Sequence, residues 1–520
     1  MLKILFFCPA MTIRQRDTTT PGCVPPLGLA SVAAYLEVHG YSVAIIDVLA
    51  EGLNTIIKAH HAIRVGLTPN QIVQKIKYYQ PDIIGVSSMF TAFATDAYEI
   101  TKLAKKVNPK ILTILGGSHA SILPKVVLSQ KSVDLVVIGE GEETMLEIAQ
   151  KLSEHQNVFN IAGTATRDSK GNFILNPNRP HISDLNQLPP PARHLLPMDI
   201  YLNTSRDASS YAYRTPSTEI ITSRGCPGNC IYCAVPGIWG RIWRPYSAER
   251  IVEEIQSVID RYGVREIHFL DDNISVSRER LEKICDLLIA KKIDIKWTTP
   301  NGIAIWTLDR PLLEKMKKSG CYRLTFGIES GHPETQKFIR KNLDLKKVKE
   351  IIKTASDIGL WIFSTYIIGF PYETKNQIKT TFKYAIQSYS DFVVFILLIP
   401  FPQTDVTKIM LQENIIHPSQ LSKNHIGELF SGYVGAGNKY FSAAELHSLR
   451  NIADKKLMIN RLLWPLTHPL AIIRKIHNRE DFFYLLRITK NLLTMFFSQL
   501  KFGELKTHRL QAAKKYQIIK

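Results

Sequence analysis

Residues 1–155 contain five short runs that are apolar from end to end, and this most narrows what the chain can become. The runs are KILFFC from Lys3, SVAIID from Ser42, DIIGVS from Asp82, ILTILGG from Ile111 and DLVVIG from Asp134. Helical patterns lie among them (PLGLASVAAYLEVHG, TPNQIVQKIKYYQ, FATDAYEITKLAKKV), and EETMLEIAQKLS follows the last. A strand with no polar face must be covered on both sides, so the pattern predicts a parallel α/β sheet with helices on each face. Such a sheet takes its ligand at the carboxyl ends of its strands, in the crevice where strand order reverses. Those ends carry Ser87 and Ser88, then Gly116, Gly117, Ser118 and His119, then Gly139, Glu140, Gly141 and Glu142.

The alternation restarts near residue 217. TEIIT, EIHFL, IKWTT, YRLTF, FSTYI and VVFILL read as strands, each followed by a helical pattern except the last. Six such units predict a partial (β/α)6 barrel, with its chemistry at the carboxyl ends of the strands. Between the two alternations, 156–215 reads as a linker with a small hairpin in TRDSKGNFIL and a stiff spacer in LPPPARHLLP. Residues 441–520 read as a basic helical region. The expected divisions are therefore 1–155, 156–215, 216–440 and 441–520.

Composition removes other classes. The 520 residues are 45% hydrophobic and 21% charged, an ordinary globular balance that excludes disordered, collagen-like and coiled-coil architectures. Seven cysteines cannot staple a chain of this length. The start, MLKILFFCPAM, runs on into TIRQRDTTT rather than a cleavage site, so it reads as a first strand and not a signal peptide. No stretch reaches the roughly 18 apolar residues of a spanning helix; FVVFILLIP is too short and LLWPLTHPLAII is broken by proline. A cytoplasmic protein is expected. The net charge is +19, and from Phe441 onward 15 Lys and Arg face 5 Asp and Glu, a local excess of +10. That tail suits an anionic partner, whether nucleic acid, a membrane surface or a phosphorylated substrate, and equally suits a solvated helix bundle.

Directly after the strand TEIIT comes SRGCPGNCIYC, which places Cys226, Cys230 and Cys233 at C-x3-C-x2-C spacing. Thiolates so spaced on one tight loop can each hold one iron of a [4Fe–4S] cluster, and three ligands leave the fourth iron open. Gly225, Pro227 and Gly228 let the backbone wrap closely. A zinc knuckle would need a fourth ligand, and no other Cys or His lies within ten residues of the triplet. Cys8, Cys23, Cys285 and Cys321 read as ordinary buried thiols.

This loop, at the end of a first barrel strand and with Tyr232 just before its third cysteine, resembles the radical S-adenosylmethionine (SAM) superfamily. The similarity continues through FLDDN (269–273), FGIESG (326–331), IIGFPYET (367–374) and IPFPQT (399–404), at the ends of the second, fourth, fifth and sixth strands. The resemblance implies that the open iron chelates the SAM amine and carboxylate. A reduced cluster then cleaves the sulfonium to methionine and a 5′-deoxyadenosyl radical. Asp271 or Asp272 would accept from the SAM amine in place of the superfamily's Gly-Gly-Glu run, which this chain lacks; one of the two can instead cap the following helix. Glu329 and Ser330 would hold the ribose.

The first unit resembles the cobalamin-binding subclass, through PPLGLASVAAYLEVHGYSVAIID, GGSHAS and VVIGEGEETMLEI. That implies a Rossmann-like sheet of flavodoxin type, with Ser87, Ser88, Gly116, Gly117, His119, Gly139 and Glu140 around the cofactor. The loop 17–22, DTTTPG, carries Thr19 where a cobalt-ligating histidine stands in cobalamin mutases, so no histidine of that loop can ligate cobalt; His119 is expected to hydrogen-bond near the cofactor tail. RNA methylthiotransferases carry three further cysteines in this region, whereas only Cys8 and Cys23 occur here.

The resemblance implies a cobalamin-dependent methyltransferase acting at an unactivated carbon or phosphorus centre. An oxidative cyclase similar to the anaerobic magnesium-protoporphyrin ester cyclase is the alternative. Either would act on a small-molecule or lipid-like substrate and draw electrons from a donor such as flavodoxin or ferredoxin. A non-catalytic nucleic-acid-binding protein is the remote alternative from charge alone, and no aromatic-interleaved basic platform supports it. In the tail, residues 481–500 place Phe482, Leu485, Leu486, Leu492, Leu493, Phe496, Phe497 and Leu500 on one side, as either an interfacial membrane helix or a helix packed on the barrel would.

Overall fold

A computed structural model describes residues 2–14, 23–59, 62–208, 212–421 and 436–501. The five apolar runs form β1 (Lys3–Cys8), β2 (Ser42–Asp47), β3 (Ile83–Ser87), β4 (Leu112–Gly116) and β5 (Leu135–Val137). All are parallel, in the order β2-β1-β3-β4-β5. Strand order reverses at β1, so the crevice lies between the carboxyl ends of β1 and β3. Successive β1 side chains enter opposite cores. Ile4 and Phe6 pack under the helix Leu27–Val38 with Ala30, Ala33 and Leu36, and Leu5 and Phe7 pack against Ile72 and Ile76 of Pro69–Tyr79. Two covered faces are the reason β1 has no polar side.

The hairpin read from TRDSKGNFIL forms as β6 (Thr164–Arg167) and β7 (Phe173–Leu175). It does not stand in a connector: β6 pairs antiparallel with β5 and covers the edge of the first sheet. A second antiparallel sheet, Met11–Arg14 with Ala62–Val65 and Ile56–Ala59, was not foreseen. The loop 17–22 lies outside the described residues.

The second alternation forms β8 (Ser217–Ile220), β9 (Glu266–Phe269), β10 (Lys296–Thr299), β11 (Cys321–Glu329), β12 (Trp361–Ile368) and β13 (Phe392–Leu397). They are parallel and adjacent in chain order. Outward residues such as Ile267, Phe269, Leu324 and Phe326 share one core with Ile251, Ile255, Leu281 and Ile352 of the covering helices. Inward positions are polar: register aligns Glu219 with His268, His268 with Thr298, and Thr298 with Arg323 across four strands. The last strand does have a helix after it, Asp405–Gln412, which starts where the Thr404 side chain accepts from the Thr407 amide.

Helices Ala443–Thr467, Pro469–Ile473 and Arg479–Lys501 follow. Tyr484 and Ile488 of the last plug the amino end of the barrel against Tyr213, Tyr322, Trp361 and Phe392. Of the side expected to be apolar in 481–500, Phe482, Leu486 and Leu493 are exposed and Leu485 is half-buried, while the helix packs on the barrel through Tyr484 and Ile488. The side chains of Leu492, Phe496, Phe497 and Leu500 lie outside the described residues. Among the described residues no helix is long and apolar enough to cross a membrane.

Candidate functional site

At the carboxyl end of β8 the chain forms a short pairing of Ser223–Arg224 with Arg244–Pro245 and then turns into the cysteine loop. Gly225 sits at φ +86°, where a Cβ would lie 2.2 Å from the Ile242 carbonyl oxygen, so only glycine makes this turn. Cys226, Cys230 and Cys233 are all free and partly exposed. Burial pushes the Cys226 thiol up and the Cys233 thiol up to about 11, and repulsion from the neighbouring cysteines and Asp272 adds to both. Among the described residues no three His, Cys, Asp or Glu side chains are gathered as a single metal ion needs. The loop presents three free thiols at the barrel mouth, the type and number of donors a three-ligand cluster takes.

The two aspartates separate clearly. Asp271 is buried and accepts from the Thr222 amide at 3.1 Å, the Thr222 hydroxyl at 2.7 Å and the Ser223 hydroxyl. It anchors the approach to the cysteine loop, so the expected contact with the SAM amine does not fall to it. Asp272 is the carboxylate left beside the cysteines; burial, then repulsion from Asp271, raises it to about 6. Asn273, overlooked in the sequence, hydrogen-bonds Cys226 and supports its thiolate.

Glu329 closes β11 at φ +66°, a conformation that costs a non-glycine residue about 1–3 kcal/mol and clusters at functional sites. Its carboxylate is held 3.0 Å from the Lys341 ammonium, which also lies 3.4 Å from the Tyr232 hydroxyl. Lys341 was likewise missed. Burial opposes its charge, but Glu329 and the cysteines Cys230 and Cys233 outweigh that and raise its pKa. Ser330 is fully buried, with its hydroxyl 3.1 Å from that of Thr381 and accepting from the His332 amide. It fixes the turn after β11, its hydroxyl already taken up there rather than left open for a ribose as expected.

At the first sheet, Ser88 is buried and its hydroxyl has no hydrogen-bond partner among the described residues, an orphan expected where a polar ligand seats. Ser87, half-buried, ends β3 beside it. Gly117 sits at φ +95° with its Cβ position 2.9 Å from the Ser88 carbonyl oxygen, and Gly139 at φ +75°. Gly116 has only Val137 near its Cβ position, at 3.9 Å. These features fit a ligand that needs close backbone approach. His119 is buried between the Tyr98 hydroxyl at 2.9 Å and the Thr91 hydroxyl at 3.0 Å. Burial lowers it to about 4, so it is neutral with both ring nitrogens engaged. It braces the crevice wall, as a loop-bonding histidine would, and has no nitrogen left for a ligand.

Glu140 differs from its expected role. Its carboxylate is taken up by Arg224 at 2.6 Å, Arg244 at 2.9 Å and the Ile182 amide at 2.9 Å. Arg224, two residues before Cys226, also binds Glu142 at 2.6 Å, and Glu142 accepts from Ser31 at 2.7 Å. The expected Glu140–cobalamin contact is replaced by a buried strut from the first sheet to the cysteine loop. Farther along, Gln403 donates to the Ile122 carbonyl at 2.6 Å. The carboxyl ends of the two sheets therefore face each other, and a cavity of about 260 Å³ opens between them beside Gly139, Arg179, His181, Gly237 and Ile238.

Comparisons with known proteins agree with this geometry. The Radical SAM superfamily model matches residues 220–385 and the B12 binding domain model residues 16–149. The chain is 31% identical over 448 residues to the cytidylyl-2-hydroxyethylphosphonate methyltransferase of Streptomyces wedmorensis, covering 80% of this chain and 83% of that protein. It is 32% identical over 418 residues to an uncharacterized methyltransferase of Pyrococcus horikoshii, covering 80% and 84%. The anaerobic magnesium-protoporphyrin IX monomethyl ester cyclase of Rubrivivax gelatinosus is 24% identical over 78% of this chain and 69% of its own. Among solved structures, the cobalamin-dependent SAM radical enzyme OxsB with aqua-cobalamin aligns over 99% of this chain and 84% of that chain, at TM-score 0.68 and 15% identity.

Proposed function

The chain belongs to the cobalamin-binding radical SAM superfamily, and from that premise we propose that it is a methyltransferase acting on an unactivated carbon or phosphorus centre of a small molecule. The observation that carries the reading is the meeting of a three-cysteine loop with the Ser88–Gly117 crevice across one interface. When bound, the cluster supplies the electron that cleaves SAM, and cobalamin carries the methyl group in transit.

In this reading Cys226, Cys230 and Cys233 hold the cluster, with Asn273 supporting Cys226. Asp272 accepts from the SAM amine. Glu329, fixed by Lys341 and Tyr232, orients the ribose hydroxyls. Ser87 and Ser88 donate to the corrin rim, while Gly116, Gly117 and Gly139 admit it to the backbone. The Arg224 strut keeps the cysteine loop registered on that crevice. The reductant is an acidic electron carrier such as flavodoxin or ferredoxin, suited to a chain of net charge +19. A cyclase reading has less support, since the cyclase of R. gelatinosus shares 24% identity against 31% for the phosphonate methyltransferase.

The test is product analysis after anaerobic reconstitution with iron, sulfide, cobalamin, SAM and reductant. A methyltransferase makes both 5′-deoxyadenosine and S-adenosylhomocysteine, and its product gains one methylene unit. Formation of 5′-deoxyadenosine with no S-adenosylhomocysteine would overturn methyl transfer and favour the cyclase.

A further inference from the structure

Among the described residues, nothing covers an apolar belt on the helices after residue 442. Ile452, Ile459, Leu463, Leu466, Leu470 and Ile473 are all exposed, at steps of seven, four, three, four and three residues. That spacing aligns Ile452, Ile459, Leu463 and Leu466 along one side of Ala443–Thr467, and Leu470 and Ile473 lie on the short helix after the break at His468. Phe482, Phe483, Leu486 and Leu493 are exposed on the next helix, with Leu466 at 79% and Phe483 at 65%. Single exposed apolar residues need no explanation; ten within 42 positions do.

Asp454, near the start of the belt, sits 3.9 Å from Arg450, and from residue 455 on cations outnumber acids. Between 455 and 494 the exposed cations are Lys455, Lys456, Arg474, Arg479 and Lys490. The acids of that stretch are Glu480 and Asp481, and both are occupied: Glu480 binds Arg214 and Arg265, and Asp481 accepts from Tyr213. The sequence from 502 to 520 adds Lys506, Arg509, Lys514, Lys515 and Lys520 against Glu504 alone. The inner sides of the same helices are fixed to the barrel, through Lys475 to Asp391 at 2.5 Å, Arg474 to Asp357 at 2.5 Å and Tyr484 in its aromatic cluster. An apolar strip flanked by cations, with its other side anchored, matches the headgroup–acyl boundary of an anionic bilayer.

We propose that helices 443–501 are a docking face for anionic lipid bilayers. Its position sets what docking achieves. Tyr213, Tyr322, Trp361 and Phe392, on which the last helix packs, stand at the amino ends of the barrel strands, whereas the cysteine loop stands at the carboxyl ends. Docking through the last helix therefore places the bilayer at the end of the barrel opposite the cysteine loop. The proposal is independent of the chemistry at Cys226, and its test needs no turnover.

The experiment is co-flotation of the full-length protein with vesicles of phosphatidylcholine alone and of phosphatidylcholine with phosphatidylglycerol. Binding is expected only with the anionic vesicles, and is weakened by added salt. The Leu470→Gln, Phe483→Gln double variant and the Lys455→Glu, Lys456→Glu, Lys490→Glu triple variant should each bind at least about tenfold more weakly. All five positions are exposed, and circular dichroism checks that each variant is folded. Absence of flotation with anionic vesicles would overturn the proposal, as would unchanged binding by folded variants. A dimer that the apolar variant dissolves, with no vesicle binding, would assign the belt to a second copy of the chain instead.

Discussion

Replacing Glu142 with alanine tests whether the buried strut holds the two sheets together. The side chains of Glu142, Glu140 and Arg224 are 3%, 5% and 9% exposed, so solvent screens their attraction little. Removing one partner of a buried ion pair costs about 3–5 kcal/mol, because the other charge is stranded. Arg224 would keep Glu140, which places the expected loss near the lower bound, about 3 kcal/mol. Arg224 lies 5.7 Å from the Trp239 ring, one of six tryptophans, so urea unfolding followed by fluorescence reads the loss, and its change in a Trp239→Phe background isolates the signal beside the strut. The Glu142→Ala, Arg224→Met double variant removes both charges and should recover most of the loss. There is also a pH signature. Burial would raise Glu142, but Arg224 outweighs it and holds the carboxyl below its ordinary 4.5. Its contribution is therefore present above about pH 4.5 and is lost as pH falls through the depressed value. A Glu142→Ala protein within about 0.5 kcal/mol of wild type, as at an ordinary surface site, would refute the reasoning.

Two further outcomes follow from the site. Burial opposes the charge on His268, but Glu219 and Glu266 outweigh it and raise the imidazole to about 9. The stabilisation is then full below its ordinary 6.5 and is lost as pH rises through about 9. Melting temperatures of wild type and His268→Asn should converge above that pH, and parallel curves would count against the pair. Asp271→Asn should destabilise the apo-protein by about 1–3 kcal/mol through lost hydrogen bonds to Thr222 and Ser223. Asp272→Asn, which removes a partly buried carboxylate repelled by Asp271, should not lower melting at neutral pH but raise it, and should weaken SAM binding in equilibrium dialysis of the reconstituted protein; loss of stability at Asp272 and of SAM binding at Asp271 would exchange their roles.

The fold was legible where packing demands are symmetric. Ile4 and Phe6 on one side of β1, and Leu5 and Phe7 on the other, leave no polar position to confuse the reading. In the barrel the inward Glu219, His268 and Thr298 are hidden within runs whose outward residues suffice to mark a strand. The small antiparallel sheet escaped because MTIR, IIKA and AIRV are four residues each, mix charge with apolar residues and show no sustained period. At the site, the cysteine triplet was legible because its three thiols lie on one loop, within eight residues of sequence. Glu140, Asp271 and Ser330 were read as cofactor contacts because sequence shows which polar groups stand near strand ends, not which are already partnered. Arg224 lies 84 residues from Glu140 and Thr222 49 from Asp271. Lys341 reaches Glu329 from a turn where Arg340 and Asn342 adopt positive φ, a conformation no pattern in IRKNL announces.

The most direct test of the central claim is iron and sulfide content, together with SAM cleavage, of anaerobically reconstituted wild type and the Cys226→Ala, Cys230→Ala, Cys233→Ala variant. Wild type should be brown, carry iron and sulfide in equal amounts and release 5′-deoxyadenosine on reduction, while the variant, folded by circular dichroism, should be colourless and inert. A variant that bound as much iron and cleaved SAM as fast as wild type would contradict the account.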